Sequence, residues 1–293
     1  MMLRTLLTLL LLTLARPAAA DPALYDARAP GVTLYLLGSI HSLPPDTKWQ
    51  TPAIDHAIQA ADQFWFELIL ADAKPKLLAL TMTYGFDPAK KLDSYLTPEE
   101  ADQLQRDLEE LKVPGAGPML QMLRPWLAAI TLTTARFMQD GFVAANGVDA
   151  TLQAQARAAD KPLIGLEDAE QQIRFLADLS DETGVAILRA TLAAPGQGHA
   201  LLAKLYQLWL AGDLDGVGRL MNEFGGSTSP ELMEKLIYRR NAPWAEKLDT
   251  LKGKNVTAFV TVSAGHMGGP GNLRVLLAKG GFTIEPVPPQ GTP

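Results

Sequence analysis

Thr33-Leu-Tyr-Leu-Leu-Gly-Ser-Ile-His41, then Thr51-Pro-Ala-Ile-Asp-His-Ala-Ile58, then Gln63-Phe-Trp-Phe-Glu-Leu-Ile-Leu70 is the stretch that sets the architecture of this chain. Residues 33–37 are apolar and β-prone, and they stop at Gly38. Thr51 before Pro52 is a helix start, a capping hydroxyl followed by a proline in the first turn. Ala53, Ile54, Ala57, Ile58 and Ala61 give that helix an apolar face. Residues 63–70 read as a second buried strand. A strand–helix–strand unit of this size favours parallel strands and a right-handed crossover.

A similar pattern closes the chain. Residues 255–262 are the most β-rich run, 272–279 read as a short helix ended by Gly280-Gly281, and 282–287 as a last strand. The middle is helical. Thr97-Pro-Glu-Glu opens a helix to residue 111, and 119–138 read as one long apolar helix bent at Pro125. Further helices are expected over 149–159 and 168–179, around a short strand at 161–165. Three or four more fill 182–252, broken at 195–198, 212–213 and 225–228. Residues 21–32 read as a loop. The fold class is therefore α/β: a small mixed central sheet built from N- and C-terminal β-α-β units, with a large helical middle region. Residues 21–287 are expected to form a single domain, and 288–293 a disordered tail.

Residues 1–20, MMLRTLLTLLLLTLARPAAA, have a basic start at Arg4, an apolar run from Leu6 to Leu14 and an A-x-A site at 18–20. They read as a signal peptide cleaved after Ala20, which places the mature chain in a periplasm or outside the cell. No later run approaches the roughly 18 apolar residues of a membrane-spanning helix. Net charge is −6, and no Lys/Arg run exceeds two residues, so a nucleic-acid partner is not expected. Zero cysteines exclude disulfides, zinc fingers, iron–sulfur clusters and thiol nucleophiles.

Only four histidines are present. His41 follows the first strand and His266, in Val262-Ser-Ala-Gly-His266-Met-Gly-Gly269, follows the β-rich run. Both leave the carboxyl end of an expected strand, where open α/β sheets place ligands. A single such histidine reads equally well as a hydrogen-bonded structural residue; two in matching contexts point to a site. His56 and His199 read as surface or capping residues. Glu67 interrupts an apolar run, and burial without a cation, metal or donor would cost several kcal/mol. Glu167 suits either a helix N-terminus or a site. Arg239-Arg240-Asn241 reads as a solvated helical face, or as a group that orients a carboxylate or holds an oxyanion.

Taken in order, Leu34-Tyr-Leu-Leu-Gly-Ser-Ile-His41, Phe66-Glu67, Arg124-Pro-Trp126, Asn146-Gly-Val-Asp149, Ile164-Gly-Leu-Glu167 with Gln171-Gln172, Arg240-Asn241 with Trp244, and Ala264-Gly-His266 with Gly268 and Gly271 resemble the TraB/GumN family. The Tiki proteases are its animal relatives. The family signature is two G-x-x-H motifs and an early-strand Glu; Gly38 to His41 and Glu67 match, while Ser263 stands where the second motif has Gly. The resemblance implies a core distantly like the erythromycin-esterase and haem-binding ChaN folds. It also implies metal-dependent peptidase activity on a peptide or protein substrate.

On that basis His41, Glu67 and His266 are the expected metal ligands for a divalent ion (Mn, Co or Zn) that activates water. Glu67, Glu167, Arg240 and Asn241 are the candidate catalytic residues. Glu167 is then a general base or a partner of the ligands, and Arg240 and Asn241 orient a carboxylate or bind the oxyanion. Two alternatives stand beside it. One is metal-free esterase-type hydrolysis, with His41 as base and Glu67 as its orienter. The other is a non-enzymatic envelope binding or regulatory protein that takes haem or peptide through the same histidines. H-E-x-x-H and G-x-S-x-G are both absent, although Ser39 and Ser263 lie near the histidines.

Overall fold

The structure is a computed structural model that describes residues 21–112, 116–193 and 197–288. The expected signal peptide, nearly all of the expected tail and the side chain of His199 lie outside the described residues. The strands are β1 (Leu24–Ala29), β2 (Val32–Ser39), β3 (Gln63–Phe66), β4 (Leu163–Gly165), β5 (Val256–Ser263) and β6 (Thr283–Pro286). Helix α1 spans Pro52–Ala60, α2 Leu70–Gly85, α3 Pro98–Glu110, α4 Ala116–Leu120, α5 Pro125–Gln139, α6 Val148–Ala158 and α7 Ala169–Ala177. Helix α8 spans Asp181–Ala193, α9 Gln197–Leu210, α10 Leu214–Thr228, α11 Pro230–Met233, α12 Arg239–Asp249 and α13 Leu273–Lys279.

The six strands form one sheet in the order β4-β3-β5-β2-β1-β6. Its two chain ends meet at the centre: β5 inserts between β2 and β3 and runs parallel to both. Only β1 runs against the others, pairing antiparallel with β2 and β6. The two strands of the first β-α-β unit are therefore parallel but separated by the most apolar strand of the chain. That arrangement buries β5 on both faces, as its Val- and Phe-rich run requires. Pairing Ser39 with Ser263 puts the ends of β2 and β5 at one level, so His41 and His266 leave the sheet side by side.

Four expectations change. Residues 24–29 are a strand and not a loop; Asp26 and Arg28 pair with each other and mask its strand pattern, and Gly31, at φ +69°, turns the chain into β2. Residue 66 ends β3, and Leu70 already begins α2. Pro125 starts α5 instead of bending a longer helix, because the residue before a proline is driven to extended backbone and Arg124 has ψ 150°. Residues 225–228 continue α10 where a break was expected.

The other helix starts follow the local rules. Thr51 Oγ1 accepts from the Ile54 N–H, and Thr97 and Glu100 close a capping box. Leu36, Leu37, Phe64, Phe66, Phe259 and Val262 are fully buried in the sheet's core. Leu104, Ala128, Ala129, Leu132 and Leu188 form a separate cluster within the helical middle. Helix α9 returns to the sheet, where Trp209 donates from Nε1 to the Gly38 carbonyl at 2.7 Å.

Candidate functional site

Four strand ends bring the site together: β4 supplies Glu167, β3 Glu67, β5 Ser263 and His266, and β2 Ser39 and His41. The helical segment 230–249 crosses above them. It is continuous but contains one π turn, Glu234–Tyr238, directly before Arg240. Single π turns inside α-helices recur at functional sites. Here the turn delivers Arg240 and Asn241 inward, and Arg240 Nη1 donates to the Leu236 carbonyl within it at 3.1 Å. Arg239, the adjacent arginine, points outward and meets Glu234 on the surface.

Arg240 is the hub. Its Nε and Nη2 donate to the two oxygens of Glu167 at 2.8 and 2.9 Å, a bidentate fork. Nη2 also donates to Glu67 Oε2 at 2.6 Å, and Nη1 lies 3.3 Å from His266 Nε2. The guanidinium packs over the Trp244 and Phe175 rings. Glu67 Oε1 accepts from the Ser263 backbone N–H at 2.6 Å, and Glu167 Oε1 from Trp244 Nε1 at 3.0 Å. Glu67, Glu167 and Arg240 are all buried, so each charge is compensated as burial demands. Asp168 caps α7, which leaves Glu167 free to face inward.

The carboxylates titrate in opposite directions. Burial by itself favours protonated Glu67, but Arg240, the two histidines and the Ser263 N–H overcome it and hold the group down at about 2. For Glu167, burial and the nearby Glu67 charge win over Arg240 and Trp244, and the carboxyl is raised.

His266 is buried, with its side chain only 1% exposed. Asn241 Nδ2 donates to the Gly271 carbonyl at 3.0 Å, which fixes the amide, and Asn241 Oδ1 lies 2.7 Å from His266 Nδ1. An amide oxygen only accepts, so Nδ1 carries the proton and Nε2 the lone pair. Burial, then the Arg240 and His41 charges, push His266 down to about 3. The imidazole is neutral across the ordinary pH range.

His41 differs. Its side chain is 60% exposed, and Nδ1 lies 2.7 Å from Asp149 Oδ2. Ser39 Oγ donates to Asp149 Oδ1 at 3.1 Å and holds the carboxylate. The Asp149 charge raises His41 to about 9 against partial desolvation and the Arg240 charge. Gly147 makes this pairing possible: a Cβ there would sit 2.1 Å from the His41 carbonyl oxygen. Without one, α6 docks its first turn on β2, Val148 N–H bonds the Ile40 carbonyl, and Asp149 meets the ring.

The structure thus brings Glu67, Glu167, Arg240, Asn241 and His266 into one connected network. His41 stands beside it, near enough for its charge to act on Glu67 and His266. His56 is exposed on α1, away from these strand ends. The expected orienter of His41, Glu67, does not hold it; Asp149 does. Asp149 and Trp244 lie in family-like stretches of the sequence, but nothing local to them marks a role. An acidic residue in a helix's first turn carries no sign that it reaches another element. Ser263 needs no glycine: its contribution is a backbone N–H, and φ −57°, ψ 146° is an ordinary conformation.

The resemblance places His41, Glu67 and His266 on one divalent ion. Their arrangement does not fit it: both Glu67 oxygens are engaged and His266 Nε2 faces a guanidinium. Among the described residues no three His, Asp or Glu side chains are set to hold a metal.

An α/β sheet with a buried ion cluster and two strand-end histidines at its carboxyl edge defines the class. Within it, a family profile for TraB/PrgY/gumN matches residues 23–286, and the chain belongs to the TraB/PrgY/gumN family. It is 30% identical over 246 residues to the uncharacterized protein YbaP of Escherichia coli (strain K12), covering 83% of this chain and 87% of that one. An uncharacterized protein of Treponema pallidum (strain Nichols) is 23% identical over 272 residues, 87% of this chain and 80% of its own. No solved structure matches. No helix among the described residues is long and apolar enough to cross a membrane.

Proposed function

We propose that this chain is an exported hydrolase that activates water at His41. One observation carries the reading: His41 is anchored at Nδ1 by a buried carboxylate while its side chain is mostly exposed. A histidine held this way has a fixed orientation and a free Nε2 for proton transfer. His41 Nε2 takes a proton from water as the oxygen attacks a carboxylic ester or amide carbonyl, then returns it to the leaving group. Asp149 stabilises the imidazolium that forms. The export part of the proposal rests on residues 1–20, and peptide bonds are the first amide substrates to try because the Tiki relatives are proteases.

Turnover of a panel of chromogenic esters and fluorogenic peptides, with and without a chelator, tests the proposal. Chelator-insensitive hydrolysis that His41→Ala lowers by roughly 10²–10⁴-fold supports it. Hydrolysis equal to wild type in His41→Ala contradicts it.

A further inference from the structure

We infer that Arg240 is the built-in cation of this site, occupying the position from which a divalent ion would have to reach Glu67 and His266, so that the cluster is complete without a metal. The inference extends the reading above but is measured without substrate, so either can fail alone.

One chain of hydrogen bonds fixes the protons of the cluster. A guanidinium keeps its protons in any protein environment and offers donors only. Arg240 Nη1, 3.3 Å from His266 Nε2, can therefore only donate to it, which assigns the Nε2 lone pair. The same tautomer follows from the other end, where the Asn241 amide is fixed by the Gly271 carbonyl and receives the Nδ1 proton. Two independent anchors agree, so the network has one consistent proton arrangement. The lone pair that a metal would need is the one that faces Arg240. Glu67 is closed in the same way, with Oε2 on Arg240 and Oε1 on the Ser263 N–H.

Moving Arg240 aside for an ion would also strip Glu167 of its bidentate partner while Glu167 stays buried. Arg240 is further held by the Leu236 carbonyl of the π turn and by the Trp244 ring. A side chain with that many restraints is part of the resting structure.

The converse is a gain of function. Removing the guanidinium leaves Glu67, Glu167 and His266 around a vacated cationic position, with His266 Nε2 already 3.9 Å from Glu67 Oε1. Two carboxylates and an imidazole form a set suited to Mn²⁺, Co²⁺ or Zn²⁺. Arg240→Ala is therefore expected to acquire a divalent-metal site that the native chain lacks.

Titration calorimetry and elemental analysis of the untagged chain and of Arg240→Ala, with MnCl₂, CoCl₂ and ZnCl₂, test this, alongside ¹⁵N imidazole spectra of the native chain. The expected result is no 1:1 uptake by the native chain, one ion per chain in Arg240→Ala, and a His266 proton on Nδ1. Because the spectra use native protein, they hold even where Arg240→Ala folds poorly. One ion per native chain, lost in both Glu67→Gln and His266→Ala, overturns the inference. So does a folded Arg240→Ala that takes up no ion, or a His266 proton found on Nε2.

Discussion

His41 and His266 leave neighbouring parallel strands at the same level, each after a short Gly-containing motif, and end in opposite chemical states. His41 is mostly exposed, held by a carboxylate and raised to about 9. His266 is sealed in, held by an amide and lowered to about 3. Backbone position does not decide what a histidine does; the group on its Nδ1 and its access to water do. Asp149 can balance an imidazolium, whereas Asn241 accepts the Nδ1 proton but carries no charge to balance one.

The largest expected effect separates the two by activity and stability. His41→Ala should lower turnover by roughly 10²–10⁴-fold, and it should also cost some stability below pH 9, because it leaves the buried Asp149 without its cation. Truncation around His266 should show first in stability. Arg240→Met leaves two buried carboxylates without their cation and should cost about 3–5 kcal/mol, read from urea denaturation. An unchanged midpoint in that variant would show that the cluster is not closed.

Acid should then divide the pair. Glu67 stabilises the fold above its unfolded value, near 4.5, and that contribution is lost as pH falls toward about 2. Buried neutral His266 adds a loss that begins below its unfolded value, near 6.5, and continues down to about 3. Stability should therefore decline steadily below pH 6.5, with a shallower decline in His266→Gln, measured by thermal melts across pH. His41 acts at the other end: its favourable pairing with Asp149 is full below 6.5 and fades as pH rises through about 9. As a base it works only when deprotonated, so kcat/KM should climb toward pH 9. Asp149→Asn should move that limb down toward 6.5.

Ser263→Gly should have the smallest effect. Restoring the family's glycine keeps the N–H that Glu67 uses, so activity should stay within about twofold and stability should fall by no more than about 1 kcal/mol.

The residues of the site were legible in the sequence, the contrast between its two histidines was not, and the unread parts share a cause. Glu67 announced itself as a carboxylate in an apolar run, and the two histidines as matched strand-end residues. Local caps at Thr51 and Thr97, and the Gly280-Gly281 stop, placed three helices without any tertiary knowledge. Only the resemblance of Arg240-Asn241 to the family picked Arg240 over Arg239; the physical reason, a π turn that no residue pattern marks, was hidden. Asp149 was hidden too: its role depends on Gly147 allowing α6 to approach β2, a contact across 108 residues of chain. Strand β1 was missed because an internal Asp26–Arg28 pair obscures its alternation.

One histidine is poised to move protons and the other is locked neutral. A ¹⁵N–¹H long-range imidazole correlation series from pH 4 to 10 on the native chain tests it most directly. His41 should titrate near 9, and His266 should keep a single neutral signature, proton on Nδ1, through the whole series. A His266 resonance that titrates near 6.5, or carries its proton on Nε2, would contradict it.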